Sequence, residues 1–308
     1  MSDALLAHAT QSIEVGSKSF ATASRLFDAR TRRSAVMLYA WCRHCDDVID
    51  GQQGGFGQRD GDRSDGAARL QTLRDATRRA CAGDAVDVPA FAALQAVAAA
   101  HGIPERFAQA HLEGFAMDVA GRHYRTLADT LEYCYGVAGV VGLMMAMVMG
   151  ARDEATLDRA CDLGLAFQLT NIARDIVEDA QIGRCYLPMD WLEALGIPRD
   201  ELADPQHRDA LAVLAARLVD AAEPYYASAR IGLRDLPLRS AWAIATARGV
   251  YREIGLRVKA RGPSAWDTRV STSKGDKLRL LVSAAGTAIA SRRGKREARS
   301  ATLWQRPR

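Results

Sequence analysis

Residues 163–179 have the sequence LGLAFQLTNIARDIVED, and this stretch holds the clearest helical pattern of the chain. Its polar side chains recur at steps of three, four and four residues, at Gln168, Asn171, Asp175 and Asp179. Such steps place side chains on one face of an α-helix. Apolar residues such as Leu165 and Ile172 supply the other surface. The stretch therefore predicts a largely apolar helix that carries a single polar stripe.

The sequence on either side of this stretch also favours helices. No proline occurs between Pro104 and Pro188, and alanine is abundant. After Pro205, apolar residues return at three- or four-residue steps, at Leu211, Leu214, Leu218 and Ala222. Sustained two-residue alternation, the pattern of a half-buried strand, is not found. We therefore predict an all-α protein with about ten or more helices.

The composition is that of a soluble globular protein. Hydrophobic residues make up 48% of the 308 residues and charged residues 25%, which excludes collagen-like, disordered and disulfide-rich classes. Six cysteines are scattered along the chain, and the N-terminal stretch 1–18 lacks the basic and apolar segments of a secretory signal. We therefore expect reduced thiols and a cytoplasmic location.

The net charge of +4 originates at the C-terminal end. Residues 291–308 contain seven basic residues against Glu297 alone, so the rest of the chain is slightly acidic. This distribution argues against a nucleic-acid-binding protein. We predict that residues 1–290 form one all-α domain and that residues 291–308 form a disordered basic tail, with contact to anionic lipid as the less favoured alternative. The polar, glycine-rich residues 51–66 predict a loop between two helices.

Residues 133–151 (YCYGVAGVVGLMMAMVMGA) carry no charge, and their number is enough to span a membrane. We favour a buried core helix, because the stretch opens with Tyr-Cys-Tyr and contains four glycines, which weaken a helix. Gly136, Gly139 and Gly142 are spaced by three and lie on one helix side. Such a side either admits another backbone closely or leaves a groove for a long apolar ligand, and the spacing does not decide between them.

Two acidic clusters carry the chemistry that the sequence predicts. Asp46-Asp47-Val48-Ile49-Asp50 follows one apolar run, and Asp175-Ile176-Val177-Glu178-Asp179 closes another. In each cluster the outer aspartates are four residues apart, so that on a helix two like charges lie on one face beside apolar residues. A divalent cation would relieve this repulsion, and Mg²⁺ binds carboxylates together with substrate phosphates. We interpret the clusters as two facing walls of one site.

Simpler interpretations of these residues exist. The clusters could be solvated acidic faces held by Arg43–Asp47 and Arg174–Glu178 pairs. Cys42 and Cys45 form a CxxC, but no second metal-binding pair accompanies it, so we interpret both as helix-packing cysteines. No GxGxxG, P-loop or GxSxG motif is present, which removes the usual sequence support for a nicotinamide cofactor, a nucleoside triphosphate or a serine nucleophile.

Seven motifs in this chain resemble the squalene and phytoene synthase family, in the order in which that family carries them. They are SKSF (17–20), YAWCR (39–43), DDVID (46–50), YCYGVAG (133–139), QLTNIARD (168–175), RCYLP (184–188) and YREI (251–254). The Tyr-Leu-Pro after Arg184 and the VVGLM run at residues 140–144 look closest to the bacterial members that make phytoene.

The resemblance implies a single all-α isoprenoid-synthase fold around a central cavity, and head-to-head condensation of two geranylgeranyl diphosphates through prephytoene diphosphate to phytoene. It implies Mg²⁺ as cofactor, with Mn²⁺ as the alternative ion and no NADPH. The metal ligands carried over by motif are Asp46, Asp50, Asn171, Asp175 and Asp179. The substrate-binding residues carried over are Ser17, Lys18, Ser19, Phe20, Tyr39, Arg43, Tyr133, Gln168, Arg174, Arg184 and Tyr251. The residues expected to act in catalysis are Asp46, Asp50, Asp175, Asp179, Tyr39 and Arg43.

Three alternatives remain open at this point. The same fold acting on two farnesyl diphosphates would give squalene or dehydrosqualene, and tunnel length, which decides this, is not visible in a sequence. A terpene cyclase or chain-elongating prenyltransferase would normally carry DDxxD motifs. A helical membrane or scaffold protein would leave two polar stripes unexplained, the one at 168–179 and a similar one formed by Tyr39, Arg43, Asp46 and Asp50. The partners we expect are a prenyl diphosphate substrate, no nucleic acid, and a peripheral membrane contact that delivers an apolar product.

Overall fold

The computed structural model describes residues 3–16, 23–51, 65–294 and 297–308. Its α-helices, in chain order, are α1 (Asp3–Gly16), α2 (Ala29–Asp50), α3 (Gly66–Ala82), α4 (Pro89–His101), α5 (Glu105–Val119), α6 (Leu127–Cys134), α7 (Val140–Val148), α8 (Glu154–Gln181), α9 (Met189–Leu195), α10 (Arg208–Gly232), α11 (Leu238–Arg261) and α12 (Lys274–Ser291). Tyr135–Gly139 forms a π-helical turn between α6 and α7. The structure is 77% helical, with no strand in the described ranges, so the all-α prediction is confirmed. Most of the predicted loop at 51–66 lies outside the described residues.

The two helices that carry the acidic clusters, α2 and α8, both begin at an aspartate cap. The Asp28 carboxylate accepts hydrogen bonds from the backbone N–H groups of Arg30 and Thr31, each at 3.0 Å. The Asp153 carboxylate accepts one from the Thr156 N–H at 2.9 Å. These bonds satisfy N–H groups that have no partner within the helix. The caps therefore fix the start of each helix and, with it, the positions of the clusters near the opposite ends.

Helix α8 occupies the centre of the structure, where it packs against α7, α10, α11 and the π-helical turn. Its residues Leu165, Ala166 and Leu169 are fully buried. The facing stripe of α10 is buried as predicted, at Leu211, Leu214, Leu218 and Ala222. Burial of large aliphatic side chains stabilises a fold by roughly 1.5–3 kcal/mol each, so this helix pair anchors the site rigidly.

The glycines near α7 provide close contact between helices. A Cβ added at Gly142 would collide with the carbonyl oxygen of Ala160 on α8, and one added at Gly164 on α8 would collide with the carbonyl oxygen of Ala138. The two backbones touch because neither glycine carries a side chain. Of the two roles left open for this glycine row, the structure therefore shows close backbone approach at Gly142.

Within the described ranges, one helical stretch, Leu127–Val148, is long and apolar enough to span a membrane. However, 72% of its most apolar window is buried inside the protein. Leu143 and Met144 are fully buried. Its apolar residues face protein rather than lipid, which confirms the prediction of a core helix.

The C-terminal residues 297–308 differ from our prediction of a disordered tail. Arg299 forms a bidentate ion pair with Asp162, at 2.7 and 2.8 Å, and Arg306 donates to Asp158 at 2.7 Å. Both acids lie on one face of α8 at a spacing of four residues, and Asp162 is fully buried. The local sequence shows these arginines close to one another and almost without acidic neighbours. In the folded protein, their acidic partners come from a distant part of the sequence. Lys295 and Arg296 lie outside the described residues.

Candidate active site

Both acidic clusters lie at the C-terminal ends of their helices. Asp46 and Asp50 occupy the last turns of α2, and Asp175 and Asp179 the last turns of α8. Unpaired carbonyl groups give this end of a helix a partial negative charge, so carboxylates there are disfavoured unless cations are near. Carboxylates at these helix ends need cations nearby, and arginines lie next to both clusters.

The cluster on α2 is held by two arginines. Arg43 contacts Asp46 at 2.9 Å and Asp47 at 2.8 Å, so one of the simple pairs considered from the sequence does form. Arg184, in the segment after α8, contacts Asp50 at 2.5 Å. Burial and the neighbouring Asp50 charge raise the pKa of Asp46 to about 6, although 39% of its side chain stays exposed. Arg43 and Arg184 reduce this effect without cancelling it.

The cluster on α8 is held in a similar way. Arg174 makes a bidentate pair with the adjacent Asp175, at 2.7 and 2.5 Å, rather than the pair with Glu178 that the spacing suggested. Arg269 contacts Asp175 at 3.0 Å and also pairs with Glu178. Burial, followed by the charge of Asp175, raises the pKa of Asp179 to about 7. The cations near Asp179 therefore do not compensate for its burial and for the charge of Asp175.

Arg184 and two tyrosines bring the clusters to one place. Arg184 pairs with Asp50 on α2 and also lowers the pKa of Asp179 on α8, so it lies between the two walls. Tyr39 on α2 lies near Tyr251 on α11, and burial raises the pKa of Tyr39 to about 12. Burial raises the pKa of Tyr251, and the charges of Arg174 and Asp175 also act on this pKa.

The ring of Tyr251 stacks on Phe167 of α8, with centroids 4.1 Å apart. An aromatic pair at this distance fixes the position of the ring. Tyr251 is therefore held against α8, in the neighbourhood of Tyr39 of α2. Arg184, which pairs with Asp50 and acts on Asp179, thus lies near both clusters, which are distant from each other in the sequence.

The site fits a divalent cation in its donor atoms. The side-chain amide of Asn171 donates to Gln168 at 3.2 Å, whereas its Oδ1 is buried and has no hydrogen-bond partner among the described residues. A buried acceptor without a partner costs free energy, which a cation would recover. Within the described ranges, no group of three or more acidic, histidine or cysteine side chains forms a metal site by itself.

The structure adds a carboxylate that the sequence interpretation missed. Asp118, at the end of α5, accepts hydrogen bonds from the hydroxyl groups of Tyr133 at 3.2 Å and Tyr186 at 2.9 Å. Burial raises the pKa of Asp118 to about 6, and Arg184 and Asp50 are among the charges that act on it. A single aspartate with no partner at helical spacing gives no signal in the sequence, and only the fold reveals its position beside the clusters.

The predicted site residues are placed as follows. The structure brings together the carboxylates, arginines, tyrosines and amides that we assigned to the metal and the substrate, namely Tyr39, Arg43, Asp46, Asp50, Tyr133, Gln168, Asn171, Arg174, Asp175, Asp179, Arg184 and Tyr251. The predicted substrate-binding residues Ser17, Lys18, Ser19 and Phe20 lie outside the described residues. Arg269 and Tyr186 are additional neighbours of the site that had no assigned role.

Comparison with known sequences gives matches over almost the whole chain. The chain is 61% identical over 303 residues to 15-cis-phytoene synthase from Pantoea ananas, with 98% of each chain covered. It is 53% identical over 307 residues to 15-cis-phytoene synthase from a Paracoccus species, which covers 100% of this chain and 99% of that protein.

Comparison with solved structures gives the same fold. A dehydrosqualene synthase solved with a ligand has a TM-score of 0.82 at 29% identity, covering 93% of this chain and 97% of that one. A squalene synthase from Alicyclobacillus acidocaldarius has a TM-score of 0.72 at 25% identity, covering 85% and 97%. The model of the family described as squalene/phytoene synthase matches residues 13–276. The motif order, the joined acidic clusters and these matches agree, and the chain belongs to the squalene/phytoene synthase family.

Proposed function

We propose that this protein is a prenyltransferase of carotenoid biosynthesis that condenses two geranylgeranyl diphosphates head to head, through prephytoene diphosphate, into phytoene. Relatives named 15-cis-phytoene synthase that are 53–62% identical to nearly the whole chain support this substrate. The structural observation that carries the proposal is the meeting of two acidic clusters around Arg184, Tyr39 and Tyr251. Such a site suits a reaction in which diphosphate must leave an allylic carbon.

The arginines of the site are the groups that would hold diphosphate. Arg43, Arg174 and Arg184 each pair with a carboxylate of the clusters. A guanidinium binds phosphate with the same planar, bidentate geometry that it uses for carboxylate. Diphosphate can therefore replace aspartate as the partner of these arginines. Ser17, Lys18 and Ser19 are proposed, from the resemblance alone, to add contacts to the same groups.

The carboxylates released from the arginines are the proposed ligands of Mg²⁺, or of Mn²⁺ as the alternative ion. The residues that would hold the metal are Asp46, Asp50, Asn171, Asp175 and Asp179. When bound, such an ion neutralises charge that develops on the leaving diphosphate. Members of this family generally use a divalent metal. We propose that NADPH takes no part.

Aromatic side chains form the proposed reacting centre. Tyr39 is half-buried next to Arg43 and Asp46, and Tyr133 is buried beside Asp118. The faces of aromatic rings stabilise cations, and exclusion of water protects an allylic cation from hydrolysis. Gln168, which accepts from Asn171, lies on the same polar stripe of α8 and would line this centre. These residues would therefore surround the carbon from which diphosphate departs.

A second substrate is favoured by one specific observation. The solved structure with a TM-score of 0.82 is named a dehydrosqualene synthase. We therefore keep condensation of two farnesyl diphosphates as the alternative. Product analysis after incubation with Mg²⁺ and either substrate, with and without NADPH, tests both. Phytoene formed from geranylgeranyl diphosphate without NADPH is the expected result, and a thirty-carbon product from farnesyl diphosphate alone would overturn the substrate.

We also propose a peripheral contact with an anionic membrane, through α12 rather than through the C-terminal residues. The arginines of residues 297–308 are paired with acids of α8 and are not free to bind lipid. On α12, Leu278, Val282 and Ile289 are each more than 60% exposed and lie on one helix face. Apolar side chains with basic neighbours are typical of helices that lie on anionic bilayers.

The basic neighbours are Lys274, in the first turn of the helix, and Arg293, just after its last turn, and both are exposed. Sedimentation with vesicles of anionic lipid tests the contact. Wild-type protein should sediment with anionic vesicles, and the variant Leu278→Ser with Val282→Ser should lose most of this binding. Deletion of residues 297–308 is expected to leave it unchanged. Equal binding by the wild type and the α12 variant, or binding that depends on residues 297–308, would contradict the contact.

A further inference from the structure

We infer that Asp118 is a positioning residue that makes Tyr133 and Tyr186 hydrogen-bond donors to itself, so that their phenol oxygens and ring faces present an electron-rich surface to the reacting centre. The inference rests on the proposed function and assigns a role that neither the motifs nor the resemblance supplied. It concerns one carboxylate and two phenols, which come from three separate segments of the chain.

The geometry of the group is specific. The hydroxyl of Tyr186 donates to Oδ1 of Asp118 at 2.9 Å and that of Tyr133 donates to Oδ2 at 3.2 Å, so each carboxylate oxygen has its own phenol. The two rings stack with centroids 4.4 Å apart and planes 17° apart. The ring of Tyr124 packs against both, at 5.5 and 6.0 Å. All three tyrosines are buried, so the phenols have fixed orientations.

The electronic effect follows from the direction of the hydrogen bonds. A phenol that donates to a carboxylate transfers electron density to its own oxygen and ring, because such charge-assisted bonds are strong. An electron-rich ring face attracts a cation more strongly than an ordinary phenol does. In the proposed reaction the carbon–oxygen bond to diphosphate breaks, the electron pair leaves with the diphosphate, and positive charge remains on the allylic carbon. Asp118 takes no proton in this step and forms no bond.

The position of Asp118 joins this aromatic group to the metal walls. Arg184, which pairs with Asp50, also acts electrostatically on Asp118. One arginine therefore lies between the carboxylate that orients the tyrosines and the carboxylate proposed to hold the metal. A carboxylate among three aromatic rings is expensive to bury, and an apolar residue would pack there at lower cost. The cost is consistent with a role in the reaction rather than in packing.

The test compares Asp118→Asn, Tyr133→Phe, Tyr186→Phe and the double variant of Asp118→Asn with Tyr133→Phe. Asparagine keeps the size of aspartate but lacks the charge, and an NH₂ group replaces one of the two oxygens that accept from the phenols. We expect kcat to fall about tenfold or more in Asp118→Asn, which corresponds to about 1.4 kcal/mol, with KM for geranylgeranyl diphosphate within about twofold of wild type. The double variant should be no slower than the slower single variant, because both changes remove the same interaction.

Asp129→Asn is the matched control. Asp129 completes the capping box of α6, and its hydrogen-bond partner there is Thr126 rather than a residue of the acidic clusters. This variant should lose thermal stability while its kcat stays at the wild-type value, which separates a structural loss from a catalytic one. If Asp118→Asn fails to fold, Tyr133→Phe and Tyr186→Phe, which keep the rings and the carboxylate, measure the same contribution through their kcat.

Two results would overturn the inference. One is a kcat of Asp118→Asn that equals the kcat of wild type. If Asp118→Asn does not fold, the corresponding result is a wild-type kcat in both phenylalanine variants. The other is a double variant whose loss equals the product of the two single losses, since this would mean that Asp118 and Tyr133 act independently. A wild-type protein that accepts farnesyl diphosphate instead would overturn the substrate of the proposed function, and the ratios of kcat between variants on that substrate would still decide the role of Asp118.

Discussion

Replacement of Asp179 by asparagine should abolish activity and at the same time stabilise the metal-free protein at alkaline pH. Burial and the charge of Asp175 disfavour the ionised form of Asp179, which raises its pKa from 3.8 to about 7. In the unfolded chain this carboxyl group ionises near its ordinary pKa. Between about pH 4 and pH 7 the folded protein therefore holds one proton more than the unfolded protein. The contribution of this group to stability is lost as the pH rises through that window.

The size of the effect follows from the shift. About three pKa units at about 1.4 kcal/mol each set an upper bound near 4 kcal/mol, and partial solvent access at the site lowers the expected value to about 2–4 kcal/mol. The asparagine side chain does not titrate, so the free energy of unfolding of the variant does not fall in this way as the pH rises. Urea unfolding of both proteins without metal at pH 5, 6, 7 and 8 measures the difference. The variant should gain about 2 kcal/mol or more over wild type between pH 5 and pH 8.

Asp158→Asn on the same helix is the control. The Asp158 carboxylate makes favourable pairs with Arg306 at 2.7 Å and Arg308 at 3.1 Å, so its removal should lower the free energy of unfolding. Added Mg²⁺ should raise the stability of wild type more than that of Asp179→Asn, because ligand binding stabilises the folded state. A stability difference between wild type and Asp179→Asn that is independent of pH would refute the reasoning, as would full activity of that variant.

Three further changes test the fold and the site. Gly142→Ala should lower the free energy of unfolding by about 1–3 kcal/mol, because the added methyl group meets a carbonyl of α8. Gly286→Ala, where the added methyl group meets open space, should be neutral or stabilising, and urea unfolding of both variants measures the difference. Deletion of residues 297–308 should lower the melting temperature strongly, because it leaves the fully buried Asp162 without Arg299, and an unchanged melting temperature would contradict the packing of this segment. Arg184→Met should lower kcat/KM by about tenfold to a hundredfold in a steady-state assay, because it removes a cation between the two walls, and wild-type kinetics would exclude that role.

The sequence predicts the helices well where periodicity and burial agree. The polar stripe at 168–179 and the leucine spacing of 211–222 each correspond to one face of a long helix in the structure. The glycine row near α7 is informative only in part, because three-residue spacing fits both close packing and a groove. The structure decides the question through backbone atoms of α8, which are distant in sequence.

The site is predictable to the extent that its residues form local patterns. Two clusters with the same internal spacing indicate one shared site, but nothing in their spacing reveals that Arg269 reaches Asp175 from 94 residues away. Asp118 has no local pattern at all, and its role depends on tyrosines from two other segments. The prediction for the arginines near the C-terminus fails for the same reason, because their acidic partners lie far earlier in the sequence.

The two acidic clusters are proposed to form one metal and diphosphate site. Anomalous scattering of Mn²⁺, measured in crystals grown with a non-hydrolysable thio-analogue of geranylgeranyl diphosphate, tests this proposal. Manganese peaks are expected between Asp46 and Asp50 on one side and Asn171, Asp175 and Asp179 on the other, with diphosphate bound beside them. Manganese bound elsewhere, or diphosphate bound without contact to either cluster, would contradict it.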